Sequence, residues 1–161
     1  MAGFTASWVH GNAVVVEDPP ADDGGLYFFN HFGWGTQIVI GPGSSRWFHV
    51  ALPTPVILDA KRLKVIRVFL QLRIERLGSL DGADLWDGDT KVATITDFKD
   101  KPDVQFPGIL TFELFEPLAC QRGLGLSFHL EAQSYANGNF VDDKNAPMFV
   151  IGSAGADYDV S

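Results

Sequence analysis

The sequence feature that most constrains the fold is the stretch Lys61–Leu77, in which apolar residues recur at every second position. A period of two places alternate side chains on opposite faces of a β-strand. The apolar side chains of one face are Ile66, Val68, Leu70, Leu72 and Ile74. The opposite face combines Val65 and Phe69 with arginine and glutamine side chains. A strand that is apolar on one side and half apolar on the other is predicted to lie inside a sheet, not at its edge.

An α-helix is the alternative interpretation of this stretch. The residues that fit a spacing of three to four are Leu63, Ile66, Leu70, Ile74 and Leu77. A helix would, however, scatter Val65, Val68 and Leu72 around its circumference. The stretch is also rich in β-branched residues, which lose χ1 freedom in a helix. We therefore predict a strand.

The rest of the chain indicates short strands separated by turns. Its 161 residues include 17 glycines and 9 prolines, spread along the sequence. About eight to ten strand segments can be counted, with no convincing helix and no internal repeat. Gly123–Ala132 alternates most clearly, with leucines and a phenylalanine on one side and Ser127 and His129 on the other. The pattern predicts a single all-β domain over residues 1–161, an antiparallel two-sheet β-sandwich of jelly-roll type.

A β-hairpin is predicted around Asp87-Gly88, because Asp-Gly is a strong turn signal between strand segments. The two paired segments are residues 83–86 and 91–96.

Three segments resemble an uncharacterised bacterial family of small β-sandwich proteins. They are Ser44–Val56, Trp86-Asp87-Gly88 and Ser153–Asp157, which together span most of the chain. The resemblance implies a small bacterial β-protein. It implies no activity and assigns no catalytic residue.

The net charge argues against two classes of partner. The chain has 12 lysines and arginines against 20 aspartates and glutamates, a formal net charge of −8. This excess would repel a phosphate backbone or an anionic membrane surface, and no basic cluster offsets it locally. We therefore predict that neither nucleic acid nor a membrane is a partner.

Cysteine content and targeting signals indicate in which cellular compartment the protein is expected. Cys120 is the only cysteine, which rules out an intrachain disulfide and a zinc site built from several thiolates. The N-terminus lacks the basic and apolar regions of a signal peptide, and no stretch approaches the ~18 apolar residues of a membrane span. The prediction is a soluble cytoplasmic protein.

The histidines show no metal-binding pattern. The four are His10, His31, His49 and His129, and no two are closer than 18 residues. No carboxylate stands at a metal-ligand spacing near them. No cofactor is therefore predicted, although strands can bring distant histidines together.

A metal site is one hypothesis for the predicted hairpin. Asp84, Asp87 and Asp89 offer the clustered oxygens that calcium prefers. Asp84 would share a strand face with Trp86, whereas the other two aspartates belong to the turn. The EF-hand spacing is absent, so an acidic, solvated hairpin is the alternative.

Three tryptophans are the candidate ligand-binding residues, because flat aromatic faces stack on sugars and other ring-shaped ligands. Trp34 stands between two glycines, which is typical of an exposed loop. Trp47 and Trp86 lie in predicted strands, where core packing is the alternative. A saccharide is accordingly one predicted partner.

The second face of the long strand predicts a homo-oligomer, because apolar side chains interleaved with arginines are typical of interfaces. The interface residues would be Val65, Arg67, Phe69, Gln71 and Arg73. In the alternative, one of the long loops, 97–108 or 134–147, covers Phe69 within the monomer.

Three classes of function remain, in the following order. The first is a non-catalytic β-sandwich protein that acts through self-association or protein–protein interaction. The second is a lectin-like carbohydrate-binding module. The third is an enzyme, placed last because no nucleophile, general base or metal set can be assembled from residue spacing.

Overall fold

The computed structural model describes residues 4–17, 25–96, 108–134 and 146–159. These residues contain thirteen β-strands, one 3₁₀ turn at Gly11–Ala13 and no α-helix. In chain order the strands are β1 (Phe4–His10), β2 (Val15–Val16), β3 (Leu26–Phe32), β4 (Gly35–Ile40), β5 (Ser45–Ala51), β6 (Ile57–Leu58), β7 (Lys61–Arg62), β8 (Lys64–Arg76), β9 (Gly78–Asp87), β10 (Thr90–Ile95), β11 (Ile109–Ala119), β12 (Leu124–Ala132) and β13 (Met148–Asp159). Strands β2, β6 and β7 have only two residues each, so ten longer strands remain, within the predicted range.

Two antiparallel sheets form the sandwich. The six-stranded sheet has the order β11-β8-β13-β4-β3, and β1 and β4 occupy successive parts of the same edge of β13. The five-stranded sheet has the order β10-β9-β12-β5-β2, and β6 and β7 form a separate hairpin. The chain passes from one sheet to the other at most connections, as it does in jelly rolls. The prediction of an all-β, antiparallel two-sheet sandwich is confirmed.

The core between the sheets contains stacked aromatic rings. Phe48 stacks on Phe128 within the five-stranded sheet, with ring centroids 5.8 Å apart, and Phe29 reaches Phe48 from the six-stranded sheet at 6.0 Å. The other large side chains that are fully buried are Ile38, Ile40, Leu63, Leu70, Leu72, Leu85, Leu126, Leu130, Phe149 and Tyr158. Because apolar side chains from both sheets are removed from water together, they hold the sheets against each other.

The long strand β8 lies between β11 and β13, inside the six-stranded sheet, as predicted. The predicted inward face is correct at Val68, Leu70 and Leu72, which are fully buried. Ile74, at the end of this face, is partly buried against the core. Tertiary pairing on both edges therefore selects the strand and not the alternative helix.

A β-bulge at Ile66 changes the alternation near the start of β8. The partners of Asp157 and Tyr158 on β8 are two positions apart, which leaves Ile66 without a partner on β13. An extra residue of this kind moves the following side chains to the other face. Val65 is consequently fully buried in the core and Ile66 only partly buried. The prediction that Val65 points away from the core is wrong for this reason.

The predicted hairpin is confirmed by the pairing of β9 with β10. Gly88 lies in the turn with a φ of 64°, a left-handed conformation that glycine adopts without steric cost.

The connections 18–24, 97–107 and 135–145 lie outside the described residues. The alternative in which loop 97–108 or 134–147 covers Phe69 therefore concerns residues that lie almost entirely outside the described residues. Among the described residues, no helix is long and apolar enough to cross a membrane.

Candidate functional site

The outer face of the five-stranded sheet is set by the alternation along β12. Leu124, Leu126, Phe128 and Leu130 are buried against the core. The intervening side chains therefore point outward, as the sequence predicts for Ser127 and His129. On this outer face, aromatic and hydrogen-bonding side chains from four neighbouring strands come together.

Four polar side chains form one row across this face. Ser127 on β12 lies directly between Asp84 on β9 and His49 on β5, and Thr94 on β10 lies beyond Asp84. The Oγ of Ser127 and the Nδ1 of His49 are 2.8 Å apart, and the Thr94 hydroxyl donates to Asp84 over 2.8 Å. We call Thr94, Asp84, Ser127 and His49 the polar row.

Trp86 lies beside the polar row on β9. It is half-buried, and its Nε1 is enclosed without a hydrogen-bond partner among the described residues. The Lys91 Nζ lies 6.0 Å from the centroid of the Trp86 ring and 3.4 Å from the Asp84 carboxylate. Because the same lysine touches both side chains, Trp86 and Asp84 share one strand face, as the sequence predicts.

A notch opens next to Trp86 because its partner on β12 is Gly125. A Cβ built on Gly125 would have a single neighbour within 4 Å, the Cβ of Trp86 at 3.9 Å. On the other side, Gly125 pairs with Ala51, whose side chain is also small. The two positions next to Trp86 across the sheet therefore carry only very small residues.

Trp47 forms the second aromatic position on the same face. It lies opposite His129, with ring centroids 4.9 Å apart and an interplanar angle of 32°. The Nδ1 of His129 is 3.5 Å from a carboxylate oxygen of Asp81. Trp47 is half-buried, so neither it nor Trp86 is a core residue. The core-packing alternative for these two tryptophans is wrong.

We call this surface the polar–aromatic face. Its members are Trp47, His49, Asp81, Asp84, Trp86, Lys91, Thr94, Gly125, Ser127 and His129. It presents two indole rings on either side of the polar row. Such a surface can stack on flat or ring-shaped groups and exchange hydrogen bonds with hydroxyl groups in several directions.

The contact between Ser127 and His49 resembles the pairing of a nucleophile with its base. A working triad also needs a third group that orients the histidine. Among the described residues no carboxylate contacts His49, and Asp84 lies on the far side of Ser127, where Thr94 and Lys91 hold it. The geometry supports hydrogen bonding to a ligand better than nucleophilic attack.

The three hairpin aspartates do not form a ligand set. Asp84 is held by Thr94 and Lys91, and Asp89 forms an ion pair with Arg122. Within the described residues, no group of three or more His, Cys, Asp or Glu side chains is arranged to hold a metal ion. The metal hypothesis for Asp84, Asp87 and Asp89 gains no support from this arrangement, because each carboxylate is turned toward a different partner.

Asp87 has a structural role at the end of the sandwich. Its carboxylate accepts hydrogen bonds from the backbone N–H groups of Gln121, Arg122 and Gly123 at 2.7, 2.8 and 3.0 Å. Partial burial, the largest single influence, raises the pKa of Asp87, but the three amides together with the Arg122 charge outweigh it. The pKa is therefore lowered, and Asp87 ties the hairpin to the β11–β12 connection as a carboxylate.

A cleft of about 520 Å³ lies beside this connection. Its lining residues are Asp87, Thr90, Val92, Leu118, Ala119, Gln121 and Arg122. The two charged groups in it are already engaged, Asp87 with backbone amides and Arg122 with Asp89. None of the described residues that line the cleft is aromatic, so we place the candidate site on the polar–aromatic face, where two tryptophans lie.

Trp34 belongs to a different part of the molecule. It lies in the turn between β3 and β4 of the six-stranded sheet and is 51% exposed. Its ring stacks on Phe32, with centroids 4.8 Å apart and planes within 8°. The exposure agrees with its position between two glycines, but the structure separates Trp34 from Trp47 and Trp86.

The predicted interface residues lie on the outer face of the six-stranded sheet, except for Val65. Arg67 forms ion pairs with Asp157 at 3.0 Å and with Glu113 at 3.5 Å. Gln71 accepts a hydrogen bond from Ser153 over 2.9 Å. Arg73 forms an ion pair with Glu75 at 2.6 Å.

Phe69 is covered from within the chain. The ring of Trp8 on β1 lies parallel to it, with centroids 5.0 Å apart. Gly155 of β13 separates the two residues in the sheet and lets the rings meet above the strand. Among the described residues, β1 supplies an intrachain cover for Phe69, and the predicted cover by a long loop concerns residues outside them.

No protein-family model and no curated protein matches the chain. Among solved structures, it is similar to CBM32-1 from a family 31 glycoside hydrolase from Clostridium perfringens, with 15% identity, a TM-score of 0.40 and coverage of 91% of this chain and 95% of the other. It is also similar to TmCBM61 in complex with β-1,4-galactotriose, with 13% identity, a TM-score of 0.38 and coverage of 94% and 86%.

A further similarity is to the secreted serine protease VesC from Vibrio cholerae, at 11% identity and a TM-score of 0.38. That match covers 86% of this chain but only 23% of VesC, so the chain corresponds to a small part of that protein. With TM-scores at this level, none of these likenesses bears on what the chain binds.

Proposed function

We propose that the polar–aromatic face binds saccharides and that the protein acts as a non-catalytic carbohydrate-binding module. The observation that carries the proposal is the position of Trp47 and Trp86, half-buried on one outer face with the polar row between them. Large aromatic side chains usually lie in the core, but strand alternation places both of these rings on the outer face.

The chemistry of a sugar ring matches both parts of this face. The C–H face of a pyranose is apolar and flat, so it can lie on an indole. Its rim carries hydroxyl groups, each of which can donate and accept hydrogen bonds. Thr94, which is exposed, and His49, which is half-buried, can each donate or accept a hydrogen bond. Lys91, exposed beside the polar row, is a donor, while the buried Asp84 and Ser127 hold these side chains in place. The polar groups of this face therefore suit such a rim.

Other ligand classes fit this face less well. A purely apolar ligand would exclude the remaining water from the carboxylate of Asp84 and the imidazole of His49 and offer no hydrogen bond in exchange, which costs free energy. A polyphosphate would meet Asp81 and Asp84 on a chain of net charge −8.

The proposal is tested by isothermal titration calorimetry against a panel of soluble neutral oligosaccharides. We expect Trp86→Ala and Trp47→Ala each to weaken affinity by about tenfold or more, since buried tryptophan anchors carry about 2 kcal/mol or more. Trp34→Ala is the matched control, because Trp34 is exposed but lies on the other sheet. Binding that is lost in Trp34→Ala and kept in Trp86→Ala would contradict the proposal, as would a panel without any binder.

Self-association through the outer face of the six-stranded sheet is the second candidate function. The observation that favours it is the exposed aromatic surface there: Phe4 is 66% exposed, Trp8 43% and Phe28 46%. Exposed apolar patches of several side chains often mark interaction sites. The remaining predicted interface residues, Arg67, Phe69, Gln71 and Arg73, lie on this same face, and an aromatic anchor would carry much of the binding energy.

Light scattering tests this second candidate. A homo-oligomer has a mass that is a multiple of 17.6 kDa, and Trp8→Glu should return it to the monomer while Trp34→Glu should not. A mass of 17.6 kDa for the unsubstituted protein at micromolar concentration would end the self-association proposal.

A further inference from the structure

The two indole rings of the polar–aromatic face are far apart along the sheet. Trp86 pairs with Gly125 on one side of β12, whereas His129 of β12 pairs with Trp47 on its other side. The tryptophans thus differ by two strands across the sheet and by four residues along it. With strands about 4.8 Å apart and residues about 3.4 Å apart, the two backbone positions are separated by roughly 10 Å across and 14 Å along, or about 17 Å on the diagonal.

A single sugar ring is expected to stack on only one of the two tryptophans, because stacked rings have centroids about 4.5–7 Å apart and the two backbone positions are separated by about 17 Å. A ligand that uses both must be a chain of several linked rings. The position halfway along the diagonal is Ser127, which lies two residues from Gly125 and two from His129 on β12. The polar row therefore crosses the diagonal at its midpoint. Ser127 is only 7% exposed and its Oγ pairs with His49, so the half-buried His49 is the side chain of the row that can meet the hydroxyl groups of the central sugars.

The charges along this diagonal select among saccharide chains. Asp84 and Asp81 are the carboxylates beside it, and Lys91 is already paired with Asp84. No described cation on this face is left to receive an acidic group, apart from the two histidines. The chain as a whole carries a net charge of −8, which disfavours a polyanion further.

From this geometry we infer that the ligand is a linear, non-anionic oligosaccharide that lies diagonally across the sheet from Trp86, over Ser127, to Trp47. The inference rests on the proposed function and adds to it the form of the ligand. A face of this type binds the middle of a saccharide chain that spans both tryptophans. A single sugar, or the end of a chain alone, would contact only part of the face and bind weakly.

A length series tests the inference. The probes are glucose and β-1,4-linked gluco-oligosaccharides of two to six units, with glucosamine oligomers and galacturonic acid oligomers of the same lengths as the cationic and anionic arms. In the neutral or the cationic arm, affinity is expected to rise at least tenfold from the shortest chain that binds to the hexamer. The anionic hexamer is expected to bind at least tenfold more weakly than the better of the other two hexamers. Trp86→Ala and Trp47→Ala should each remove most of this dependence on length.

Two glycine variants provide a test that does not alter either tryptophan. Gly125 borders the diagonal, whereas Gly82, paired with His129 on β9, lies at a corner of the face away from it. A Cβ on Gly82 would meet nothing within 4 Å, and one on Gly125 would meet only a single atom at 3.9 Å, so both variants are expected to fold. Gly125→Leu should weaken hexamer binding at least tenfold and Gly82→Leu by less than threefold.

The outcomes separate the inference from the proposed function. If no saccharide in any arm binds, the proposed function fails. If glucose binds as tightly as the hexamer, or if only one of the two tryptophan variants changes affinity, the face binds sugars but the diagonal chain is wrong. Tightest binding by the anionic arm would overturn the charge argument and with it the inference.

Discussion

The two outer faces of the sandwich each have a glycine between a large aromatic residue and a neighbouring strand, and the two glycines have opposite surroundings. Gly155 lies between Phe69 and Trp8, and the ring of Trp8 fills the space above it. Gly125 lies between Trp86 and Ala51, and the space above it is open. On the six-stranded sheet the space above this glycine is thus filled by a ring from the same chain, whereas on the five-stranded sheet it remains an open notch beside Trp86.

Charged side chains follow the same division. Arg67 on the six-stranded sheet is held by two carboxylates, Asp157 and Glu113. On the five-stranded sheet, Lys91 has one ion pair, with Asp84 at 3.4 Å, and Ser127 and His49 pair with each other. Composition alone therefore does not mark a binding face. What differs between the two faces is whether a side chain of the neighbouring strand fills the space above the glycine.

The largest expected effect comes from substituting the two glycines. A Cβ on Gly155 would lie 2.7 Å from the backbone oxygen of Ser7 and 2.7 Å from a ring carbon of Trp8. We expect Gly155→Val to lower the free energy of unfolding by about 2–3 kcal/mol, because rigid backbone cannot move aside. Gly125→Val should change it by no more than about 0.5 kcal/mol. Urea unfolding followed by circular dichroism measures both, and equal losses would break the comparison.

The next effect concerns the carboxylates at the end of the five-stranded sheet. Asp87→Asn should lower the free energy of unfolding by about 2 kcal/mol at neutral pH, because one charged acceptor serves three backbone amides. Asp89→Asn is the control, since its ion pair with Arg122 is exposed and is expected to contribute no more than about 0.5 kcal/mol.

The pH dependence of this effect has a definite sign. The folded pKa of Asp87 lies below its ordinary value of 3.8, so its contribution is complete above that pH and is lost as the pH falls through the lower folded value. The difference in stability between the unsubstituted protein and Asp87→Asn should therefore narrow below pH 3.8. A difference that widens on acidification would contradict the assignment.

The smallest effects compare the two basic residues. Arg67→Met should reduce stability by about 0.5–1 kcal/mol, since its two ion pairs are partly exposed. Lys91→Met should have a smaller effect on stability but should weaken saccharide binding, because Lys91 borders Trp86 and Asp84. If Arg67→Met weakened binding more than Lys91→Met, the two faces would have been assigned in reverse.

Local patterns predicted the fold better than the site. The alternation along the long strand correctly indicated an inner strand, and Asp87-Gly88 indicated the hairpin. The β-bulge at Ile66 could not be predicted, because it arises where β13 skips a residue of β8. That non-local feature determines the burial of Val65.

The candidate site could likewise be predicted from sequence only in part, because it depends on which strands pair. Alternation along β12 predicted that Ser127 and His129 point outward, and strand pairing decides what lies beside them. His49 is 78 residues from Ser127 in sequence, so no spacing rule brings the two together. The flanking glycines of Trp34 predict an exposed ring, whereas Trp47 and Trp86, which share the candidate site, lie in ordinary strand sequence.

The most direct test of the account is an NMR titration that observes the four tryptophan indole N–H signals while the hexasaccharide that binds most tightly is added. The account predicts that the signals of Trp47 and Trp86 shift together along one binding curve, while those of Trp8 and Trp34 stay in place. Shifts confined to Trp8 or Trp34, or no shift in any of the four signals at saturating saccharide, would contradict the claim that the polar–aromatic face binds a saccharide chain.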